Sequence, residues 1–314
     1  MFKLALIGCG IIGGSHIEAV DTIDDAKITA VCDISEENLR EAIEATGATG
    51  YKDYKEMVEK EDLDLVVINL PHGLHGEATC FCAEKGINVF LEKPMGISSE
   101  DCQRMIDTCK KNNVMLWVGH PQRYLPENMY AKKLIESGEL GELVSFTETR
   151  NVNYFSDARP RWFLKKELSG GGIMINLGAH CLDKIKFFTD STVAEITGQV
   201  HIRDGYDVED SAQAFVKMAN GVTATFNLIG HTAAGKYENA LFLTKGEIRT
   251  CGGVVEYCGV DGEFKTHECE DVSCMVYEMQ DVIRVLREGA SAPAVDGEYG
   301  LEIIRAIKKV YGEE

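Results

Sequence analysis

Lys3-Leu4-Ala5-Leu6-Ile7-Gly8-Cys9-Gly10-Ile11-Ile12-Gly13 is an apolar run that feeds directly into a glycine-spaced turn. The run reads as a buried first strand, and G-x-G-x-x-G after it opens a helix. Gly8 permits the tight turn, Gly10 lets a pyrophosphate approach the backbone, and Gly13 allows the helix to pack closely on the strand. The helix N-terminus then presents free N–H groups and a positive partial charge to an anion. Asp33 closes the next strand-like segment, Lys27–Asp33, where a carboxylate can accept from both hydroxyls of a ribose. Strand, turn, helix and acid agree. They predict that residues 8–13, with Cys9, Ile11 and Ile12 between the glycines, and Asp33 hold a dinucleotide. Glu36 and Glu37 follow with no Arg before Arg40, which predicts NAD rather than NADP.

Outward from this turn, strands and helices alternate. Ser35 caps a helix that ends near Gly47, and Asp53-x-x-Glu56 resembles a capping box. Leu63–Asn69 is apolar on both faces, as a central parallel strand should be. Glu77–Lys85 reads as helix, Asn88–Glu92 as strand, Ser99–Asn112 as helix and Val114–Gly119 as strand. Repeated β-α-β units predict an α/β fold with a doubly wound parallel sheet over residues 1–121. In such a sheet the loops after the strand C-termini face the ligand. Asn69, Pro71, His72 and His75 after one strand, and Glu92 and Lys93 at the end of another, are therefore candidate cofactor contacts.

Residues 122–314 follow a different pattern. Leu143–Tyr154 and Val193–Arg203 alternate apolar and polar residues, and Ala219-Asn220-Gly221 separates two strand-like runs as a hairpin turn would. Helices are predicted at about 172–188, 273–288 and 298–311. The reading is a second α/β domain with a large, mostly antiparallel open sheet. Three helices would leave much of that sheet uncovered, which predicts an apolar face and self-association through it as a dimer or tetramer.

The composition excludes several classes. Lys and Arg number 32 against 51 Asp and Glu, a net charge of −19, which disfavours nucleic acid and anionic membranes as partners. No apolar run is long enough for a membrane helix. Phe2–Ile12 lacks a basic n-region and a cleavage site, and the 11 Cys are scattered and odd in number, so a cytoplasmic protein with reduced, mostly buried thiols is expected. No ligand spacing suggests a metal.

Ser169-Gly170-Gly171-Gly172 leads into a helix with Asn176, His180 and Asp183 at helical spacing. A neutral His180 can take a hydroxyl proton, and Asp183 can orient it. Lys93 can polarise the same oxygen. His120, Arg123, Tyr154, Arg159 and Trp162 are candidate substrate contacts: a Trp face suits the C–H surface of a sugar, and Arg suits its hydroxyls or a carboxylate.

The stretches GCGIIGGSH (8–16), LPHGLHGEA (70–78), NVFLEKP (88–94), WVGHPQRYLP (117–126), RPRWF (159–163), GGGIMINLGAHCLD (170–183) and DGEYGLEIIRAI (296–307) run in order over nearly the whole chain. Together they resemble the glucose–fructose oxidoreductase / inositol dehydrogenase family, Gfo/Idh/MocA. The resemblance implies an N-terminal Rossmann domain, a C-terminal substrate and oligomerisation domain, and NAD(P)-dependent oxidation or reduction of a sugar, polyol or related carbinol. It implies that Lys93, as the lysine of EKP, touches nicotinamide ribose and substrate, that His180 is the proton acceptor, and that the Lys93–Pro94 bond is cis. Asn176 stands where many relatives carry Asp. Two further classes stay open: a redox-neutral, NAD-using glycosidase or lyase, and a non-catalytic dinucleotide sensor.

Overall fold

The computed structural model describes residues 1–289 and 293–314. Two compact units make up the chain: Met1–His120 with Met275–Leu301, and Pro121–Cys274 with Glu302–Glu314.

The first unit runs β1 (Phe2–Ile7), α1 (Ile11–Asp21), β2 (Ala26–Cys32), α2 (Glu36–Thr46), β3 (Thr49–Tyr51), α3 (Tyr54–Lys60), β4 (Leu65–Ile68), α4 (His75–Glu84), β5 (Asn88–Glu92), α5 (Ser99–Lys111) and β6 (Leu116–Gly119). All six strands are parallel, in the order β3-β2-β1-β4-β5-β6. The chain reverses direction across the sheet between β1 and β4, and a ligand crevice belongs at the C-terminal ends of those two strands. Leu4–Leu6 and Leu65–Ile68 are fully buried, so both faces of the central strands are covered. Ser35 caps α2 by accepting from Asn38 N, and Gly47 closes it in the left-handed region at φ +68°. Asp53 caps α3 through Lys55 N.

The second unit contains α6 (Pro126–Ser137), β7 (Leu143–Asn153), α7 (Lys166–Ser169), α8 (Ala179–Thr189), β8 (Val193–His201), β9 (Ser211–Met218), β10 (Thr223–Ile229), β11 (His231–Leu243), β12 (Gly246–Cys251), β13 (Val254–Cys258) and β14 (Lys265–Glu268). These strands form one sheet, β14-β13-β12-β11-β7-β10-β9-β8, antiparallel except for β7 with β10. Its core face carries Phe146, which meets the rings of Phe188 and Phe226 edge-on. Helices α9 (Cys274–Glu288) and α10 (Gly297–Tyr311) follow.

Four expectations are corrected. The division at 121/122 assigns everything beyond it to one domain, whereas Met275–Leu301 belongs to the first unit. Val118 N donates to Val295 O, Trp117 bridges to Asp296, and Arg287 on α9 pairs with Asp25, contacts that no local pattern reveals. The helix expected over 172–188 is broken: Met174–Gly178 is a π-turn, and the regular helix starts at Ala179. The short β3, β13, β14 and most of β11 were not anticipated. The outward face of the second sheet is polar rather than apolar. Thr197, Phe215, Thr225, Thr147 and Ala240 share one row, Gln213 and Asn227 the next, and Phe215 and Phe242 are its large exposed rings.

Candidate functional site

In the first unit the expected residues converge at the ends of β1, β2 and β4. Gly8 has φ +94°, and a Cβ there would sit 2.7 Å from Asn69 O; at Gly13 it would sit 2.4 Å from Gly8 O. Only glycine fits either place. Around Gly10 nothing lies within 4 Å of such an atom, so the space above the turn is open. No side chain caps α1 and its first turn carries no acid, so its N–H groups face that space. Ile11 and Ile12 are exposed beside it, and Cys9 is buried, its thiol pushed up to about 12 by burial and by Asp33.

Asp33 joins two elements. Its Oδ2 accepts from Cys9 N at 2.7 Å and its Oδ1 from Ser35 N at 2.7 Å. These bonds fix the carboxylate at the end of β2 and leave lone pairs for ribose hydroxyls. Ile34, next to it and 89% exposed, offers an apolar platform that sequence reasoning missed. Asn69 Nδ2 donates to Gly8 O at 3.1 Å, tying β4 to the glycine turn. The cradle therefore fits a dinucleotide, and Gly8–Gly13 and Asp33 are the residues that would hold its pyrophosphate and a ribose.

Two expected cofactor contacts are instead supports. His75 is fully buried, with Nε2 2.8 Å from Leu70 O and Nδ1 3.1 Å from Pro94 O. Burial, the largest influence, holds its imidazole below the usual range despite these carbonyls. It ties the loop after β4 to the Lys93–Pro94 bond, which is cis as expected. Glu92 is 7% exposed, and its Oε1 lies 2.9 Å from His16 Nε2 on α1. Burial alone would raise the Glu92 carboxyl, but the His16 bond and the charges of His16 and Lys93 outweigh it and hold it low. His16 lies in the quoted motif GCGIIGGSH, but nothing near it in sequence points to Glu92. Pro71 precedes a single 3-10 turn, His72–Leu74; His72 is nearly buried, and Lys93 is half-buried. His120 is 1% exposed at the end of β6, edge-on to Tyr299.

In the second unit the triplet Asn176, His180 and Asp183 divides between partners. Asn176 Nδ2 donates to Tyr154 Oη at 3.3 Å, and that hydroxyl donates to Gly172 O at 3.1 Å. Tyr154 is fully buried, so it supports the site rather than touching substrate as expected; burial pushes its phenol up to about 12. Asp183, expected to orient His180, accepts from Arg123 Nε at 3.1 Å. Arg123, expected on substrate, is thereby drawn into a buried ion pair. Sixty residues separate the two, so sequence spacing gave no hint. His180 is 7% exposed. Arg159 lies over the Tyr154 ring at 4.0 Å, and Trp162 stacks on Phe163 at 3.8 Å. Glu209 and Tyr311 were missed: Glu209 Oε1 accepts from Met174 N at 2.9 Å and from Tyr311 Oη at 2.6 Å, holding the π-turn that carries Asn176.

Residues 2–120 match the oxidoreductase family with an NAD-binding Rossmann fold, and residues 128–249 match the GFO/IDH/MocA C-terminal domain. The chain belongs to the Gfo/Idh/MocA oxidoreductase family. Among relatives of this Gfo/Idh/MocA chain, the 2,7-anhydro-N-acetylneuraminate hydratase of Mediterraneibacter gnavus is 29% identical over 85% of this chain and 73% of its own. The myo-inositol 2-dehydrogenase of Thermotoga maritima is 30% identical over 62% of this chain and 57% of its own. The crystal structure of the WlbA dehydrogenase of Bordetella pertussis, in complex with NADH and UDP-GlcNAcA, is 25% identical, with a TM-score of 0.86 over 99% of this chain and 95% of its own.

Proposed function

We propose that the protein oxidises a carbinol of a sugar, polyol or sugar derivative with NAD as the hydride acceptor. NAD, when bound, supplies the nicotinamide that takes the hydride. The chain's own residues do the rest. Gly8–Gly13 and Asp33 hold the dinucleotide. Lys93 orients and polarises the reacting oxygen, and the His180 imidazole takes its proton. Asn176 and Asp183 act behind His180. Asp33 opposes a 2′-phosphate and favours NAD over NADP. The observation that carries this reading is the presence of both Lys93 and His180, one on a strand end held by Glu92 and His16, the other just after the Tyr154-bonded π-turn.

The reading includes a cytoplasmic location, no metal, and self-association through the second sheet, by polar contacts since its outward face is polar. No helix among the described residues is long and apolar enough to cross a membrane. Incubation with sugars and polyols and either NAD or NADP, followed by NADH absorbance, tests the activity. The hydratase relative favours a second reading, a redox-neutral reaction that consumes substrate on retained NAD without net NADH. Product analysis without added cofactor separates that reaction from a non-catalytic sensor.

A further inference from the structure

Arg159 is placed unlike the other arginines. Arg40, Arg104, Arg123, Arg150, Arg161, Arg203, Arg249, Arg284 and Arg287 each have an acidic side chain within ion-pair distance. Among the described residues only Arg159 and the exposed Arg305 lack one. The chain carries 51 acidic against 32 basic residues, so carboxylates are not scarce.

Arg159 is also half-buried. Its guanidinium carbon lies 4.0 Å from the Tyr154 ring centre and 4.9 Å from that of Phe163, and its Nε is buried without a hydrogen-bond partner. Burial works against its charge. Two aromatic faces return part of that cost, but they satisfy none of the N–H donors. A guanidinium packed over two rings keeps its N–H groups for a polar partner, and a planar carboxylate can accept from two of them.

The location gives these donors a use. The same Tyr154 whose ring supports Arg159 accepts from Asn176, four residues before His180. The cation therefore lies one aromatic ring from the helix that carries the proposed proton acceptor.

We propose that Arg159 is the specificity residue for a carboxylate on the substrate, making the substrate a sugar acid; this rests on the reading of the His180 site as the substrate site. A phosphate fits less well, because a dianion calls for more than one cation and the neighbouring Arg161 is bonded to Asp157.

Calorimetric titration of the NAD-loaded protein with matched pairs tests the proposal: D-glucuronate against D-glucose, D-galacturonate against D-galactose, with D-glucose 6-phosphate as the phosphate probe. In at least one pair the acid should bind about 10- to 100-fold more tightly than the neutral sugar, the range of a charge-assisted contact. Arg159→Gln should erase that margin, and Arg159→Lys should keep part of it. Thermal unfolding and NADH binding check that the variants fold; if the Gln variant does not, the Lys variant carries the same readout. The proposal is overturned if no pair favours the acid, if the margin survives in Arg159→Gln or is undiminished in Arg159→Lys, or if the phosphate binds more tightly than either acid. A purely structural arginine would lower the melting temperature and leave the margin intact. Because binding needs no turnover, Arg159-dependent acid binding without NADH formation would sink the dehydrogenase reading alone. NADH formed from neutral sugars with no acid preference would sink this one alone.

Discussion

His16 on α1 and Glu92 at the end of β5 are bonded at 2.9 Å, both buried, and this pair links the glycine turn to the strand that delivers Lys93. Its chemistry predicts an acid sensitivity. The folded carboxyl is held below its ordinary value near 4.5, so the pair's contribution is present above that value and fades as pH falls through the folded one. In His16→Ala the opposing effect of burial remains, the folded value rises, and the loss of stability should begin at higher pH. Urea unfolding of both proteins across the acid range measures this. Identical pH profiles would contradict it.

Asp33→Ser should weaken NAD binding by about 10-fold and narrow the gap to NADP, because the carboxylate both accepts from ribose and repels a 2′-phosphate. Titration with both cofactors checks it. A secondary loss is expected, since Cys9 N and Ser35 N also lose their acceptor.

Asn176→Asp should move the acidic limb of kcat/KM for oxidation to higher pH. A carboxylate near His180 favours the imidazolium, so more alkali is needed to free the base. Asp183→Asn should move the limb to lower pH, because it removes a negative charge and leaves Arg123 uncompensated. If neither variant moves the limb, His180 is not the titrating base.

Lys184 on α8 is fully buried, 2.7 Å from Glu148, which Arg150 also approaches at 3.5 Å. Burial opposes the Lys184 charge, but Glu148 outweighs it and raises the ammonium pKa. Glu148→Gln leaves two buried cations against no carboxylate and should cost roughly 3–5 kcal/mol in urea unfolding. Lys184→Met should cost less, because Arg150 still accompanies Glu148. The reverse order would contradict this account of the network.

Legibility in the sequence followed range. The glycine turn, Asp33, the Ser35 and Asp53 caps and the central strands were readable because each depends on neighbouring residues. Three-residue β3 and the polar Lys265–Glu268 strand carry too few apolar positions to show a period. Site residues were readable as types but not as partners. The spacing that set Asp183 beside His180 gave no sign of Arg123, which reaches Asp183 from a distant turn, and His75 looked like a ligand contact although its ring nitrogens face carbonyls. The π-turn under Asn176 depends on Glu209 and Tyr311, which nothing local connects.

Nicotinamide reduction by wild type and Lys93→Met, followed across sugars, polyols and sugar acids, tests the central claim most directly. The account predicts that wild type forms NADH in step with substrate oxidised. The variant should form less than about a tenth as much per unit time while still binding NADH, since charge positioned at the reacting oxygen contributes at least that factor. Substrate consumed by wild type with no NADH formed, or a variant as fast as wild type, would contradict it.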